Sequence, residues 1–210
     1  MRGPTCLIIA IGVLIATLSG CTAMNEQACV STDWRSVGFE DGIAGRSAGN
    51  IGSYRQACSK HGVTPDLAAY RSGHDEGVQL YCRVGNGFEV GHRGSRYLGV
   101  CPAELESGFL AAYSDGRQLY ELESALRTVE NQMAARNRRL VELRDGLVAA
   151  SAEIIADETT KERRAELVIN MAAMTNEQVR IGHELQDLEA ERVLRESDLL
   201  SYRQTLAFVF

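Results

Sequence analysis

Leu119-Tyr120-Glu121-Leu122-Glu123-Ser124-Ala125-Leu126-Arg127-Thr128-Val129 decides how this chain is read. Leu119 and Leu126 start a seven-residue series that continues through Met133, Leu140, Leu147 and Ile154. Leu122, Val129, Arg136, Leu143 and Ala150 follow it three residues behind. Steps of three and four wind one apolar stripe along a helix, and charged flanks make that stripe a coiled-coil seam. Further along, Leu167, Met174, Ile181, Leu188, Arg195 and Tyr202 repeat the spacing. Met171, Gln178, Leu185, Arg192, Leu199 and Leu206 interleave with them.

Asp157-Glu158-Thr159-Thr160 breaks the pattern between the two series. Thr159 followed by Glu162 reads as a capping box that starts a new helix. Arms of about 50 and 47 residues, at 1.5 Å per residue, each reach roughly 70–75 Å. Near-equal arms around one break predict a long antiparallel coiled-coil hairpin over residues 102–210, turning near 155–160. One long helix pairing in trans is the competing arrangement; the hairpin is preferred because it buries both stripes without a partner. Arg136, Gln178, Arg192 and Arg195 interrupt the seam, where polar residues either set register or leave solvated gaps. Phe208-Val209-Phe210 reads as a hydrophobic helix end or docking tip.

Upstream, composition changes at Cys101-Pro102. Most of the 20 Gly precede it, and no Pro follows it. Small residues recur every three to four positions in three stretches: Gly38 to Gly49, Ala69 to Gly77, and Gly85 to Gly99. That spacing places them on one helical face and allows close backbone approach. Thr64 as N-cap, Pro65 as first helical residue and Asp66 in the first turn predict a helix over 64–82. Residues 33–48 also read as helix, although each interior Gly costs about 1 kcal/mol against Ala. Residues 83–101 read as turns with a short helix. The expected class is all-α: a small Gly-rich, disulfide-tied helical domain over 33–101, then the hairpin.

Six Cys occur, but two belong to the start of the chain. Arg2, the apolar run Leu7 to Leu18 and the small residues Ser19-Gly20 have the layout of a secretory signal. The run is shorter than the ~20 residues a spanning helix needs. Leu18-Ser19-Gly20-Cys21 is a lipobox, so residues 1–20 are expected to be removed and Cys21 to be acylated. Residues 21–32 then form a lipidated tether. More than one acyl chain makes anchoring stable. Thr22, and not an Asp, follows Cys21, which predicts a lipid-anchored, periplasm-facing protein of the bacterial outer membrane.

Cys29, Cys58, Cys82 and Cys101 remain, an even set that predicts disulfides in an oxidising compartment. Three connectivities are open; neighbours in sequence close first, which favours Cys29–Cys58 with Cys82–Cys101. Neither CxxC nor CxH spacing occurs, so no metal site and no cofactor is expected.

Trp34, Gly38, Asp41-Gly42, Gly45, Cys58, Pro65-Asp66, Tyr70, Gly73, Gly77 and Tyr81-Cys82 fall in a recognisable order. Asn86-Gly87, Gly91, Gly94, Tyr97, Gly99-Val100-Cys101, Phe109, Tyr113 and Gly116 continue it. Over about residues 29–120 this order resembles a group of Cys-containing bacterial lipoproteins known only as a domain of unknown function. The resemblance implies a periplasm-facing lipoprotein and carries over no catalytic or ligand residue.

Candidate chemistry is sparse. Asp41 and Asp75, beside Glu40 and Glu76, could form paired carboxylates for hydrolysis, but acidic neighbours on helices are ordinarily solvated. His61, His74, His92 and His183 lack metalloprotease spacing, although His74 and His92 could meet in a folded domain. Trp34, Phe39, Tyr54, Tyr70, Tyr81, Phe88 and Tyr97 would form the core of a small domain or line a glycan or peptide groove. Acids and bases interleave without a basic stripe, which argues against nucleic acid. The expectation is a non-enzymatic interaction or scaffold protein with an envelope protein or peptidoglycan-associated partner, self-association being open. The alternatives are a periplasmic ligand-binding module and, behind it, a cryptic envelope hydrolase.

Overall fold

In the computed structural model, which describes residues 24–207, the protein is all-helical with two disulfides and, among the described residues, no strand. Among the described residues seven α-helices follow in order: α1 (Glu26–Ser31), α2 (Trp34–Ile43), α3 (Ile51–Ser59), α4 (Leu67–Tyr81), α5 (Val84–His92), α6 (Ala103–Ile155) and α7 (Lys161–Ala207). A 3-10 turn (Ala48–Asn50) leads into α3. Residues 1–20, expected as a signal segment, Cys21 and Phe208-Val209-Phe210 lie outside the described residues. No described helix is long and apolar enough to cross a membrane.

Two helix pairs organise the first half: α2 packs on α4, and α5 on the start of α6. Both pairs are in backbone-to-backbone contact. A Cβ on Gly38 would lie 1.9 Å from the Tyr70 carbonyl oxygen, and one on Gly77 would lie 2.3 Å from that of Phe39. In the second pair, Gly91 and Gly116 face the carbonyls of Tyr113 and Phe88 at 2.2 and 2.1 Å. Small residues at such crossings let weak Cα–H···O contacts replace side-chain packing.

The pairs are copies of one another. Gly38-Phe39-Glu40-Asp41-Gly42-Ile43-Ala44-Gly45 matches Gly87-Phe88-Glu89-Val90-Gly91-His92-Arg93-Gly94. Tyr70, Gly73-His74, Gly77 and Leu80-Tyr81 match Phe109, Ala112-Tyr113, Gly116 and Leu119-Tyr120. The three stretches of small residues are therefore parts of two units. Gly45 and Gly94 end the first helix of each unit at φ +68° and +71°. Arg46 N–H donates to the Asp41 carbonyl (2.9 Å) and Ser95 N–H to that of Val90 (3.1 Å), the same helix-ending motif twice. Ala112 stands where the first unit has Gly73, and the second pair is slightly wider: a Cβ on Gly87 would be 2.5 Å from the Phe109 carbonyl oxygen, against 1.9 Å from that of Tyr70 at Gly38.

Each unit carries one disulfide, Cys29–Cys58 or Cys82–Cys101, joining the chain ahead of its two helices. Trp34, Ile51 and Tyr70 pack around the first bridge, and Tyr81, Val90 and Phe109 around the second. Tyr81 belongs to α4 yet lies 5.2 Å from the Phe109 ring, centroid to centroid, so the first unit ends inside the second core.

Local start signals differ in detail from their sequence reading. Asp66, not Thr64, caps α4, accepting from Ala69 N–H (2.9 Å). Thr160, not Thr159, takes the cap position of α7, its hydroxyl accepting from Arg163 N–H (3.2 Å). The Thr159 hydroxyl donates instead to the Glu153 carbonyl (2.5 Å), closing the turn. The helix read over 33–48 stops at Ile43 because Gly45 takes the left-handed conformation. α3 had no predicted counterpart.

α6 begins where the composition changes, but its turns through Gly116 complete the second unit before the helix runs on. α7 returns along it as a long helical hairpin. Arg163–Glu153 (2.7 Å) ties the tip, Arg139–Glu177 (2.9 Å) the middle and Arg203–Glu123 (2.8 Å) the base. The Tyr202 hydroxyl also donates to the Asp115 carbonyl (3.1 Å), fastening the end of α7 to the second unit. Of the four polar seam residues, Gln178 stays half-buried, while the arginines enter ion pairs: Arg136 with Glu184 (2.5 Å), Arg192 with Glu189 and Glu196, Arg195 with Glu191.

Glycine contact makes a sharp prediction. Gly77→Ala should destabilise the fold by about 1–3 kcal/mol, because the methyl must displace backbone and not a flexible side chain. Gly52→Ala on α3, where a Cβ meets nothing within 4 Å, should be neutral or stabilise by up to about 1 kcal/mol. Urea melts of both variants check the contrast.

Candidate functional site

Asp41 is the buried carboxylate of the described chain, 1% exposed near the end of α2. Its counterpart in the second unit is Val90, so the shared fold does not call for an acid here. The difference comes from the longer link between Gly45 and Tyr70, which adds the 3-10 turn and α3. Asn50 Nδ2 donates to Asp41 Oδ2 (2.7 Å), as does the Tyr70 hydroxyl (2.7 Å). Arg46 Nη1 donates to Oδ1 (2.8 Å), and the Tyr54 hydroxyl reaches the same oxygen at 3.4 Å. Asp41 thus gathers the end of α2, the inserted turn, α3 and α4 around one charge.

Burial pushes the Asp41 carboxyl upward, but hydrogen bonds from Asn50, Tyr70 and Arg46 outweigh it and hold the group below the usual carboxylate range. Burial, then the hydrogen bond to Asp41 and its charge, push Tyr70 well above an ordinary phenol, so Tyr70 stays a donor. A carboxylate with both oxygens occupied and almost no solvent access is poorly suited to act as a base or nucleophile.

His74 is 5% exposed on α4. Its Nε2 lies 2.8 Å from the Arg46 carbonyl, which can only accept, so Nε2 carries the proton. The ring stacks on Tyr70 at 6.1 Å. Its counterpart Tyr113 donates from its hydroxyl to the carbonyl of Ser95 (3.0 Å), the residue equivalent to Arg46. Both side chains therefore close the loop that follows a helix-ending glycine, a structural task met with different chemistry. His74 Nδ1 has no hydrogen-bond partner and lies 3.8 Å from Asp75 Oδ1.

The remaining candidates are dispersed. Asp75 is largely exposed, and Glu76 pairs with Arg35 at 2.6 Å. Asp41 and Asp75 therefore occupy opposite environments, not two walls of one cleft. His74 and His92 do not meet; His92 Nε2 contacts Glu123 Oε2 at 3.1 Å in the second unit. Burial raises the Glu123 carboxyl, and the contacts with Arg203 and His92 more than reverse that. Among the described residues no group of three or more His, Cys, Asp or Glu could hold a metal ion. Tyr70, Tyr81 and Trp34 are buried in the two cores, while Phe39 and Phe88 are half-buried. Phe88 lines a shallow groove with Gly85, Leu206 and Ala207, where α7 ends on α5.

Sequence reasoning missed the Asp41 cluster because Arg46, Asn50, Tyr54 and Tyr70 fit no spacing template. The available signal was the twofold motif Gly-Phe-Glu-x-Gly-x-x-Gly, in which x is Asp once and Val once. Such a difference marks position 41 as the place where the units diverge.

Residues 33–118 match a family model described as a protein of unknown function (DUF2799). That span starts at the N-cap of α2 and ends just past Gly116, so it coincides with the two helix pairs and stops where the free hairpin begins. No curated protein and no solved structure matches the chain.

Asp41→Asn should cost about 1–3 kcal/mol at pH 7, the penalty for disturbing a hydrogen-bonded buried charge. The carboxyl is held low in the folded state, so its contribution is present above the unfolded value near 4 and is lost as pH falls through the folded value. The gap between wild type and variant should therefore narrow on acidification, as urea melts at pH 7 and pH 3 would report.

Proposed function

We propose that this protein is a bacterial envelope lipoprotein, held by an acylated Cys21, that acts without catalysis by presenting an antiparallel coiled-coil hairpin to other envelope components. The lipobox Leu18-Ser19-Gly20-Cys21 and the apolar run before it support the anchor. In a Gram-negative cell, Thr22 after Cys21 directs it to the outer membrane, facing the periplasm. The partner class is an envelope protein or a peptidoglycan-associated protein.

The observation that carries this reading is the continuity of α6. One helix of 53 residues supplies Phe109, Ala112 and Gly116 to the second unit and then runs on to the tip. From Leu119 to Ile155 it extends about 55 Å at 1.5 Å per residue. Tyr202 and Arg203 pin the returning helix to the same root. A reach built this way suits presentation at a distance from an anchor. The heptad seam, with Val129, Leu143, Leu167 and Ile181 buried between the arms, supports a two-stranded antiparallel coiled coil.

A non-enzymatic role is supported by the saturation of Asp41 and by the loop-closing task that His74 shares with Tyr113. A ligand module on the aromatic face has less support, since Trp34, Tyr70 and Tyr81 are spent on the cores.

Two measurements on the full chain in a bacterial host test the reading. Cys21→Ala should move the protein from the membrane pellet to the soluble envelope fraction; unchanged pelleting would defeat the anchor. Photoreactive residues at exposed hairpin positions such as Arg138 and Asp187 should capture envelope partners. Capture confined to exposed sites on the two helix pairs, such as Arg55 or Glu89, would overturn the hairpin as the presenting element.

A further inference from the structure

The two long sides of the hairpin differ sharply toward the tip. Arg139, Glu153, Arg163 and Glu177 stand just before Leu140, Ile154, Arg164 and Gln178, where Arg164, seven residues ahead of Met171, extends the second series back toward the turn. They pair across the helices, Arg139 with Glu177 and Glu153 with Arg163, and seal one side with charge. Side chains that follow seam positions emerge on the other side, as Glu123 and Arg203 do where they pair at the base. Toward the tip, the residues that follow Leu140, Leu147, Ile154, Leu167 and Gln178 are apolar, interleaved with Asn137, Arg144, Ser151 and Thr175, which follow the remaining seam positions. Val141, Val148 and Ile155 follow Leu140, Leu147 and Ile154 on α6. Val168 and Val179 follow Leu167 and Gln178 on α7. Val148 is 66% exposed, Ile155 79% and Val168 58%.

Val141, Val148 and Ile155 stack at heptad spacing on α6 and, with Ala165, Val168, Ala172 and Val179 on α7, make this side mainly apolar, with Asn137, Arg144, Ser151 and Thr175 among them. From Ala134 to Ile155 the face is about 30 Å long and, two helices wide, about 20 Å across. A copy laid on it would cover about 600 Å² per chain and about 1,200 Å² in total, the size at which stable specific interfaces begin.

We propose that this face pairs with the same face of a second copy, making a four-helix bundle at the hairpin tips. A twofold contact requires a patch complementary to itself, and the composition meets that need. Charge enters at Arg144, which is held at 3.5 Å by its neighbour Asp145. The ion pairs Arg139–Glu177 and Glu153–Arg163 also fix the register of the hairpin. With both tips pointing the same way, a twofold along the hairpin lays α6 of one copy over α7 of the other. Val148 of one copy then meets Val168 and Ala172 of the other, and Ile155 meets Ala165, so the apolar side chains of one copy lie over those of the other. The pairing does not depend on the anchor or on any envelope partner.

The chain lacking residues 1–21 keeps every described residue and serves for the test. Sedimentation at tens of micromolar should give twice the single-chain mass. Val148→Lys with Val168→Lys, both at exposed sites, should return it to the single-chain mass with unchanged helicity. Leu194→Lys, equally exposed but off the face, should leave the doubled mass intact. A photoreactive residue at position 148, in a mixture of isotope-labelled and unlabelled chains, should crosslink between copies to residues 165–175. A single-chain mass for the unmodified protein would overturn the proposal. So would a doubled mass that survives both lysines, the signature of copies exchanging helices through the seam.

Discussion

A glycine backbone resting on the carbonyl of a facing helix is the contact on which the first half of this protein depends. It sets the spacing of α2 on α4 and of α5 on α6 closer than any side chain permits. The cost is intrinsic, since each interior Gly weakens its own helix by about 1 kcal/mol. Short helices of this composition would not persist alone. Each pair is accordingly closed by a disulfide ahead of its helices and by a glycine-ended loop behind the first of them. The aromatic cores lie beside the glycine contacts and not within them, which is why so few large residues suffice.

The duplication separates what the fold requires from what one copy has added. Both units keep the glycines, the helix-ending turn, the bridge and a side chain that closes the loop. His74 and Tyr113 do that last task with different groups on equivalent carbonyls. Asp41 and Tyr70 stand where the second unit has Val90 and Phe109, and the exchange accompanies α3. Where extra chain covers the helix pair, a buried charge with four donors orders it. Where there is none, apolar packing with Tyr97 against Phe109 fills the same position, at 4.9 Å between ring centroids.

Long-period signals were legible in the sequence, and short-range ones only in part. The heptads from Leu119 and from Leu167 predicted both long helices and the break between them, because a seam repeated over many turns overrides local noise. The helix-class reading of 64–82 also held, carried by Asp66 and the small residues behind it. The caps shifted by one or two residues, since Thr64 and Asp66, or Thr159 and Thr160, offer the same hydroxyl or carboxylate chemistry within one turn. α3 escaped notice because it is only nine residues long and its inward face is just Ile51, Tyr54 and Cys58; the bridge to Cys29 and the Tyr54 contact with Asp41, both on other elements, place it. The duplicated unit was overlooked for a related reason: the insertion shifts the second helix of each copy out of a common period.

α6 crosses from the disulfide-bridged root to the tip without a proline; Gly116 is locked against Phe88 and His92, and Gly146, the one glycine beyond it, faces Met174 of α7. The helix is in that sense a lever with its fulcrum inside a folded core. Gly146 is the one weak point along this arm, and Met174 backs it from α7, so a sideways load at the tip passes largely to the root. It is referred to the backbone contact between α5 and α6, where the Cys82–Cys101 bridge resists opening.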